Sequence, residues 1–348
     1  MSPAPPARSF ASDNVAGVHP AVMEALAAAN SGDALAYGAD RWTTRAVELF
    51  RERFEAPVEV AFCWGGTGAN VVGLQALLRP GEGVICPASA HIAVDECGAP
   101  ERLIGAKLID VPSADGKLVP EDVVAQLHAL GDEHHVQPAV VSITQSTELG
   151  TLYSPDEIAA LATVAHDHGL YLHVDGARIA NATAALGGDL RAQTIDAGVD
   201  VMTFGATKAG AMYGEAVVFC RPELGARARF IRKQATQLPS KMRYVSAQFV
   251  ALLTDDLWVR SAERANRMAQ MLAGRVADLP GVQLTRAPAV NALFATVPAD
   301  RKAELQAWSF FWDWDVSISE VRWMTHWGTT ADDVNQFVDG LGEILAPG

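Results

Sequence analysis

The stretch "VMTFGATKAGAMYGEAVVFC", Val201 to Cys220, places one lysine, Lys208, among glycine, alanine and apolar residues. The flanking runs "VMTFG" and "AVVFC" have the composition of buried strands. A lysine withdrawn from water loses its proton readily, and its neutral amine can condense with an aldehyde. We therefore treat Lys208 as a candidate reactive amine. The alternative is a lysine that reaches the surface or caps a loop.

Around this stretch, short apolar runs rich in β-branched residues alternate with amphipathic segments. The predicted strands are "VEVAFC", "GVICP", "AKLIDV", "PAVVSIT", "LYLHVD", "VMTFG" and "AVVFC". The predicted helices between them are "AVELFRERF", "GANVVGLQALL", "PEDVVAQLHAL" and "PDEIAALATVAHDHG". This alternation predicts an α/β fold with a mainly parallel seven-stranded sheet that is covered by helices on both faces.

The pattern divides the chain into three parts. Residues 1–9, "MSPAPPARS", are rich in proline and small residues, which predicts a disordered arm. Residues 10–241 carry the alternating pattern and form the predicted large, cofactor-binding domain. In residues 242–348, long helical sequence precedes the short strands "VQLTR", "NALFATV" and "VSISEVRWMTHW" and a final helix, which predicts a smaller α+β domain.

The composition favours a soluble metabolic protein of the cytoplasm. Of the 348 residues, 49% are apolar and 20% are charged, without a long uncharged apolar run or a basic leader. The formal net charge of −14 argues against a nucleic-acid partner, because phosphate backbones bind basic surfaces. The four cysteines are scattered, which argues against a disulfide framework or a zinc site. We expect no nucleic acid, membrane or metal as a partner.

Ligands of such sheets bind beyond the carboxyl ends of the strands, and three strand ends carry suitable residues. After "VEVAFC", the turn "WGGTGAN" opens into a helix, so that its exposed backbone N–H groups and the Thr67 hydroxyl can bind a phosphate; a tight turn without a ligand is the alternative. After "LYLHV" comes Asp175, whose carboxylate needs either Arg178 or a protonated ring nitrogen as its partner. Together with the Lys208 amine, these groups match the phosphate, pyridine nitrogen and aldehyde of pyridoxal 5′-phosphate.

The chain resembles the low-specificity threonine aldolases among the fold-type-I pyridoxal-phosphate enzymes. The similarity runs from "FASDN" at Phe10 to "VRWMTHWGTT" near Thr330, with "AHIAVDECGAPE", "HVDGARIANA", "FGATKAGAMYGEAV" and "YGADRWTTRAVELF" as its most specific motifs. It implies cleavage of L-threonine, L-allo-threonine and other β-hydroxy-α-amino acids, such as phenylserine, to glycine and an aldehyde. It also implies a homotetramer with active sites between subunits, in which Tyr37 and Asp40 reach a neighbour's cofactor.

The same resemblance implies which residues form the site. The cofactor would be bound by Gly66, Thr67, His91, Asp175, Arg178 and Lys208, and the substrate by Ser12, Tyr37, Asp40, Gln145, Arg178 and Arg322. In this pattern Lys208 would bond to the aldehyde carbon, Asp175 would hold the pyridine nitrogen protonated, and His91 would stack on the ring. Lys208, His91 and Asp175 are therefore the predicted catalytic residues.

The resemblance places Arg178, Arg322 and Ser12 at the substrate carboxylate. For Arg322, the residues themselves support an anion partner. It lies in the aromatic strand "SEVRWMTHW", where an unpaired guanidinium is unfavourable, so an anion should meet it. A substrate carboxylate would serve, and an ion pair with Glu320 or another acid of the protein is the alternative.

One departure from the family pattern concerns the base that takes the β-hydroxyl proton. Where many members have "THN", this chain has "TQSTELG", with Gln145 at the position of a histidine near the substrate hydroxyl. The base must then be His91, Glu148 or a water that one of them holds. Our hypothesis is His91.

Three other functions remain open at this point. A β-eliminating lyase or an aminotransferase would use the same cofactor but remove the Cα proton. A non-catalytic member of the fold would keep Lys208 for structure alone. A metal enzyme could use "HVD" with "HDH", but His166 and His168 are two residues apart on a predicted helix and cannot share a face.

Overall fold

The structure, a computed structural model, describes residues 3–346; Met1, Ser2, Pro347 and Gly348 lie outside the described residues. Within this range the large sheet consists of Glu59–Cys63 (β1), Glu82–Pro87 (β2), Lys107–Val111 (β3), Gln137–Thr144 (β4), Tyr171–Gly176 (β5), Val201–Gly205 (β6) and Glu215–Phe219 (β7). The strand order is β1-β7-β6-β5-β4-β2-β3, and only β7 runs antiparallel to its neighbours in this sheet. The predicted mainly parallel seven-stranded sheet is confirmed for the described residues.

Helices cover both faces of the large sheet, as predicted. The α-helices are Pro20–Ala29 (α1), Arg41–Phe54 (α2), Gly66–Leu77 (α3), His91–Val94 (α4), Ala99–Ile104 (α5), Pro120–Gln126 (α6), Pro155–Asp167 (α7), Ile179–Ala185 (α8), Ala228–Gln234 (α9), Met242–Leu253 (α10), Leu257–Val276 (α11), Lys302–Trp308 (α12) and Ala331–Leu345 (α13). On one face, Phe204 of β6 packs against Phe50 of α2 and Phe249 of α10. On the other face, Val201 of β6 lies in a second apolar core with Val72 of α3. All five residues of β6 are buried, and successive side chains point to opposite faces of the sheet, so one strand contributes to both cores.

A smaller antiparallel sheet follows in the chain. It consists of Gln283–Leu284 (β8), Ala292–Thr296 (β9), Trp312–Asp315 (β10) and Glu320–Met324 (β11), in the order β10-β11-β9-β8. The predictions included β8, β9 and β11 but missed β10. Its sequence "WDWD" is largely exposed at the sheet edge, so it lacks the apolar face that marks a strand.

The predicted domain boundary at residues 241 and 242 falls immediately before α10. This helix packs against α1 and α2, and its Phe249 lies in the core of the large domain beside Phe62 of β1. The core beneath the small sheet instead combines β9 and β11 with α11 and α13. The boundary stays a prediction, and the packing of α10 favours a position later in the chain.

The amino-terminal segment contacts the small domain. Residues 3–9 form neither helix nor strand, but Trp308 donates a hydrogen bond to the Pro3 carbonyl over 2.9 Å, and Arg8 lies 3.8 Å from Asp333 of α13. Met1 and Ser2 of the predicted arm lie outside the described residues. In residues 3–346 no helix combines the length and apolar character needed to cross a membrane.

The large sheet brings three separate segments to one edge. Strands β5 and β6 are parallel neighbours, with Asp175 opposite Thr203, and the turn that carries Lys208 follows β6 directly. Strand β1 also ends at this edge, because it is antiparallel to β7 and β7 is antiparallel to β6; α3 begins there at Gly66. Topology alone therefore assembles the acid, the amine and the glycine-rich turn.

Candidate active site

A cavity of about 330 Å³ opens at this carboxyl edge. It is large enough for a small cofactor or substrate. The predicted site residues that line it are Gly66, Thr67, His91, Asp175, Arg178 and Lys208. The predicted residues that do not line it are Ser12, Tyr37, Asp40, Gln145 and Arg322. Six residues from four regions of the sequence thus meet at one site.

Lys208 lies in the one-turn 3-10 helix Thr207–Ala209, directly after β6. Within residues 3–346 its Nζ has no hydrogen-bond acceptor and no carboxylate within 4.0 Å. Burial, with a further contribution from the positive charge of Arg178, lowers the pKa of Lys208 below its usual value. The side chain lines the cavity, so neither alternative, loop capping or extension to the outer surface, accounts for its position.

Asp175 ends β5 as a buried carboxylate with 4% of its surface exposed. Its Oδ2 accepts a hydrogen bond from Asn70 Nδ2 over 2.7 Å, and its Oδ1 accepts one from the Ala177 N–H over 2.9 Å. Burial alone would raise the pKa of Asp175, but these hydrogen bonds and the charge of Lys208 outweigh burial, and the pKa is lowered. The site therefore holds a fixed negative charge.

Arg178 does not pair with Asp175, so that sequence-based alternative is wrong. Its Nε and Nη2 donate to Asp13 over 2.8 and 3.0 Å in a bidentate pair. Burial would raise the pKa of Asp13, but the charge and hydrogen bonds of Arg178 lower it to about 2. Asn291 donates to the same carboxylate over 3.1 Å. Since Asp13 occupies two of the guanidinium nitrogens, Nη1 is the one left for a ligand.

The turn before α3 leaves its backbone open to a ligand. Gly65 caps this 12-residue helix without a side-chain hydrogen bond, so no side chain of the turn itself satisfies the first N–H groups. A Cβ added at Gly65 or Gly66 would meet nothing within 4 Å, so that space beside the backbone is free. With the Thr67 hydroxyl alongside, the arrangement is typical of an anion site at a helix N-terminus.

His91 begins α4 and lies half-buried at the cavity. Its Nδ1 is 2.9 Å from Oε1 of the buried Glu96, and its backbone N–H donates to Glu148 over 2.8 Å. The hydrogen bond with Glu96 outweighs burial and raises the pKa of His91. Burial raises the pKa of Glu148. Two of the proposed bases therefore lie side by side.

Arg322 lies on β11 over the Trp314 ring, at 5.2 Å from its centroid. Its Nε is buried and has no hydrogen-bond partner within residues 3–346. Glu320 pairs instead with Arg286 at 3.0 Å, so the alternative of a Glu320–Arg322 pair is wrong. Burial and the nearby charge of Arg178 lower the pKa of Arg322 to about 10. A buried guanidinium without a partner is unfavourable, so an anion bound at Arg322 would stabilise it.

Comparison with known proteins shows to which family the chain belongs. The family model described as beta-eliminating lyase matches residues 9–300. A low-specificity L-threonine aldolase of Pseudomonas aeruginosa is 42% identical over 343 residues, which cover 97% of this chain and 98% of the relative. One from a Pseudomonas species is 40% identical over 342 residues, or 97% and 98%. The chain belongs to the low-specificity L-threonine aldolase family.

Solved structures agree with this membership. A threonine aldolase of Leishmania major superposes with a TM-score of 0.90 at 33% identity, over 97% of this chain and 99% of that one. An aspartate aminotransferase of Rhizobium meliloti superposes with a TM-score of 0.72 at 17% identity, over 99% and 91%, and this likeness shows the fold alone. The fold-type-I architecture expected from the resemblance is confirmed.

The cavity of this threonine aldolase family member fits pyridoxal 5′-phosphate. An amine, an ionised acid and an open helix N-terminus meet in one cavity, as the cofactor's aldehyde, pyridine nitrogen and phosphate require. Buried oxygens of Asn70, Glu96 and Glu148 at its wall also lack a hydrogen-bond partner within residues 3–346. Buried polar atoms without partners are rare in native structures and mark places where a ligand or water donates.

Gln145 and Asp40 both have hydrogen-bond partners within the chain that account for their side chains. Gln145 is fully buried, and its amide exchanges hydrogen bonds with the backbone of Tyr153 at 2.9 and 3.1 Å. Its side chain is therefore held away from the cavity. This position gives no support to the substrate-binding prediction for Gln145, which stays a prediction. Both carboxylate oxygens of Asp40 accept from Thr43 over 2.9 Å and cap α2. That cap explains Asp40 without a neighbour's cofactor.

Ser12 and Tyr37 have less direct relations to the site. The Ser12 hydroxyl accepts from the Asn14 N–H over 3.2 Å and caps a short 3-10 turn, and Asn14, not Ser12, lines the cavity. Tyr37 is 53% exposed, and its ring lies under Lys233. Tyr37 is therefore exposed at the surface of the chain, whereas Ser12 caps the turn that brings Asn14 to the cavity.

Three residues of the site, Asn70, Glu96 and Glu215, were not predicted from the sequence. Asn70, one turn into α3, touches both Glu96 and Asp175, and the polar residue in the apolar segment "GANVVGLQALL" was a signal that could have been used. Glu215 begins β7 beside Lys208, and burial raises its pKa to about 7. No local sequence feature distinguishes Glu96 from the exposed acids around it.

The histidines of the metal alternative have other partners. His166 bonds to Asp200 over 2.8 Å, and His173 bonds to Ser142 over 2.9 Å. His168 contacts the Val164 carbonyl at the end of α7. Among residues 3–346 there is no cluster of three potential metal-ligating side chains.

Proposed function

We propose that this chain is a pyridoxal-phosphate-dependent aldehyde-lyase. It cleaves L-threonine, L-allo-threonine and other β-hydroxy-α-amino acids, such as phenylserine, to glycine and an aldehyde. One observation carries the proposal: the unpaired amine of Lys208, its pKa lowered by burial, shares a cavity with the ionised Asp175 and the open start of α3. The family membership supports the choice of reaction.

The cofactor-binding residues would each hold a different part of the group. Lys208 would bond to the aldehyde carbon, and Asp175 would hold a proton on the pyridine nitrogen. Backbone N–H groups of Gly66 and Thr67 would donate to the phosphate, and His91 would stack on the ring. Bound there, pyridoxal 5′-phosphate supplies a sink for the electrons of the Cα–Cβ bond that breaks.

Two arginines orient the substrate carboxylate in this proposal. Arg322 supplies the buried, unpartnered Nε, and Arg178 supplies the nitrogen that Asp13 leaves free. A carboxylate held between them fixes the orientation of the Cα substituents, so that the Cα–Cβ bond can lie perpendicular to the ring plane. Geometry at the carboxylate therefore selects the bond that breaks.

Arg322→Ala is expected to raise KM for L-threonine by roughly tenfold to a hundredfold, because a charge-assisted hydrogen bond contributes about 1.5–3 kcal/mol. Steady-state kinetics measures the effect. Arg267→Ala is the matched control, since Arg267 is exposed on α11 and should leave KM unchanged. An Arg322→Ala enzyme with wild-type KM would show that the carboxylate binds elsewhere.

His91 is the proposed base for the β-hydroxyl proton. It lies at the cavity wall, and its Nε2 makes no hydrogen bond within residues 3–346, so that nitrogen is available to accept a proton. Glu148 is the second candidate: His91 and Thr144 donate to its Oε1, whereas its buried Oε2 has no hydrogen-bond partner within residues 3–346. Protonated Nε2 can return its proton later in the cycle, which suits a residue with a raised pKa.

His91→Phe is expected to lower kcat by roughly 10²- to 10⁴-fold, the usual contribution of a general base, while the flat ring keeps the stacking contact. The measurement is aldehyde release with cofactor bound, checked by its absorption. Glu148→Gln should lower kcat by a smaller factor than His91→Phe. Near-normal turnover by His91→Phe with bound cofactor would refute the assignment of the base.

A β-eliminating lyase or an aminotransferase is the nearest rival function. Product analysis separates them: the proposal requires equal amounts of glycine and acetaldehyde from L-threonine. Elimination would release a 2-oxo acid and ammonia, and transamination would give a 2-oxo acid while the amino group passes to a second oxo acid. Purified protein that forms 2-oxo acid without glycine would overturn the proposal.

We also propose a homotetramer in the cytoplasm, with active sites between subunits. The exposed Tyr37 supports a subunit contact, whereas the capping role of Asp40 gives no support to its reaching a neighbour. Light scattering of the purified protein tests the subunit number.

A further inference from the structure

Glu96 is a buried carboxylate that the proposed reaction does not yet use. It follows α4, and its side chain is fully inaccessible to solvent while its neighbours Asp95 and Cys97 are exposed. A buried carboxylate is unfavourable unless donors meet it. Glu96 Oε1 meets two: His91 Nδ1 at 2.9 Å and Asn70 Nδ2 at 2.8 Å.

Asn70 extends this arrangement to the acid at the end of β5. Its Nδ2 also donates to Asp175 Oδ2 over 2.7 Å, so both protons of one amide group are used by two carboxylates. His91, Glu96, Asn70 and Asp175 therefore form a continuous hydrogen-bonded chain along the cavity wall. The two ends of the chain are the proposed base and the proposed partner of the ring nitrogen.

The geometry fixes the protonation of the imidazole. Glu96 Oε1 also accepts from Asn70, so we assign it as an acceptor, place the proton of His91 on Nδ1 and leave Nε2 as the basic nitrogen. A carboxylate in this position favours the imidazolium that forms when Nε2 takes a proton. Histidines whose second nitrogen is held by a carboxylate are oriented in the same way at other catalytic sites.

We propose that Glu96 is a positioning residue, which sets the tautomer and basicity of His91 and, through Asn70, couples the base to Asp175. The inference rests on the proposed function and deepens it, because it explains how one imidazole can accept the hydroxyl proton. Glu96 does not touch substrate in this account. It acts through His91.

Other charged groups also face His91, and the test must separate them from Glu96. Glu148 accepts from its backbone N–H, Asp175 raises its pKa from β5, and Lys208 lowers it from the turn after β6. Glu96 is the largest contributor to the raised pKa. Glu96→Gln removes one charge and keeps the size and hydrogen-bonding capacity of the side chain.

The decisive experiment compares wild type, Glu96→Gln and Glu101→Gln as holoenzymes. Glu101 lies exposed on α5, so its variant removes the same charge nearby without touching His91. NMR titration of the His91 ring, assigned by its loss in His91→Phe, measures the pKa directly. The pH profile of kcat/KM for L-threonine measures the functional consequence.

In Glu96→Gln the pKa of His91 should fall by roughly one unit or more, since an opposite charge within reach shifts a pKa by 1–3 units. His91 must be neutral to act, so the acid limb of kcat/KM should move to lower pH. The plateau should fall roughly tenfold to a hundredfold, because the base is weaker and less well oriented. Glu101→Gln should match wild type in all three.

An unchanged His91 pKa in a folded Glu96→Gln protein would overturn the inference. So would a lower plateau without a moved acid limb, because a purely structural role lowers activity at every pH. If Glu96→Gln is unstable, Glu96→Ala must show the same downward shift below its unfolding temperature, and its absence is equally decisive. Should wild type fail to cleave L-threonine while the His91 pKa still falls in Glu96→Gln, the proposed function is wrong and the effect of Glu96 on His91 stands.

Discussion

Lys208→Ala is expected to lower kcat for L-threonine cleavage by roughly 10⁴-fold or more, the scale seen when a covalent catalyst is removed. The amine is the only group at the cavity that can bond to the cofactor aldehyde, among the described residues. Removing it also relieves a buried cation, so we expect the variant to fold. Aldehyde release, measured by coupled reduction to the alcohol, gives the rate.

Two controls separate chemistry from charge and folding. Lys208→Arg keeps a cation but cannot condense with an aldehyde, so it should be as inactive as Lys208→Ala. Lys241→Ala removes an exposed lysine before α10 and should retain wild-type rates. Residual activity of Lys208→Arg within tenfold of wild type would mean that the lysine acts only through its charge.

Asp175→Asn is expected to lower kcat by roughly 10²- to 10³-fold, the usual effect of removing one preorganised electrostatic group. The carboxylate is held ionised by Asn70, the Ala177 N–H and Lys208. In the proposed function its charge would keep the proton on the ring nitrogen. Asparagine keeps the volume and can still accept from Asn70, so the loss should appear in kcat and not in stability. Steady-state kinetics at saturating cofactor is the measurement.

Asp175→Glu serves as the charge-preserving comparison. It should recover part of the activity that Asp175→Asn loses, because the negative charge returns even though the longer side chain fits less well. Equal activity of the Asn and Glu variants would contradict an electrostatic role for this acid. Thermal unfolding of both variants checks that packing around β5 is intact.

Most of the large sheet could be predicted because its central strands are buried on both faces and are therefore continuous apolar runs, as "VMTFG" and "AVVFC" show. β10 could not be predicted, since its residues are exposed and only the hydrogen bonds of β11 make it a strand. The sequence pattern also does not show with which of the two sheets α10 packs. Its apolar face does not reveal which core will cover it.

Part of the site could be predicted for the same reason. Asp175 lies near the end of β5, and Lys208 and Gly66 follow β6 and β1, so the edge of the sheet brings them together independently of the loop conformations. Contacts between distant loops could not be predicted from the sequence. Arg178 lies three residues from Asp175 but pairs with Asp13. Gln145 faces the interior because Tyr153 takes its amide, which depends on how the chain returns eight residues later.

The hydrogen bonds that join His91, Glu96 and Asn70 could not be predicted from the sequence either. Glu96 is important because Asn70 and His91 converge on one of its oxygens, and that convergence arises only when α3 and α4 pack at the same edge. Its sequence neighbours are also polar, so composition alone gives it no distinction.

The central claim is that the amine of Lys208 carries the cofactor. Reduction of the purified, cofactor-saturated protein with sodium borohydride, followed by peptide mass spectrometry, tests it most directly. We predict that the visible absorption band disappears and that the mass of the reduced pyridoxyl phosphate is found on Lys208, whereas reduced Lys208→Ala protein carries no such mass on any peptide. An unmodified Lys208 in protein that retains bound cofactor would contradict the account.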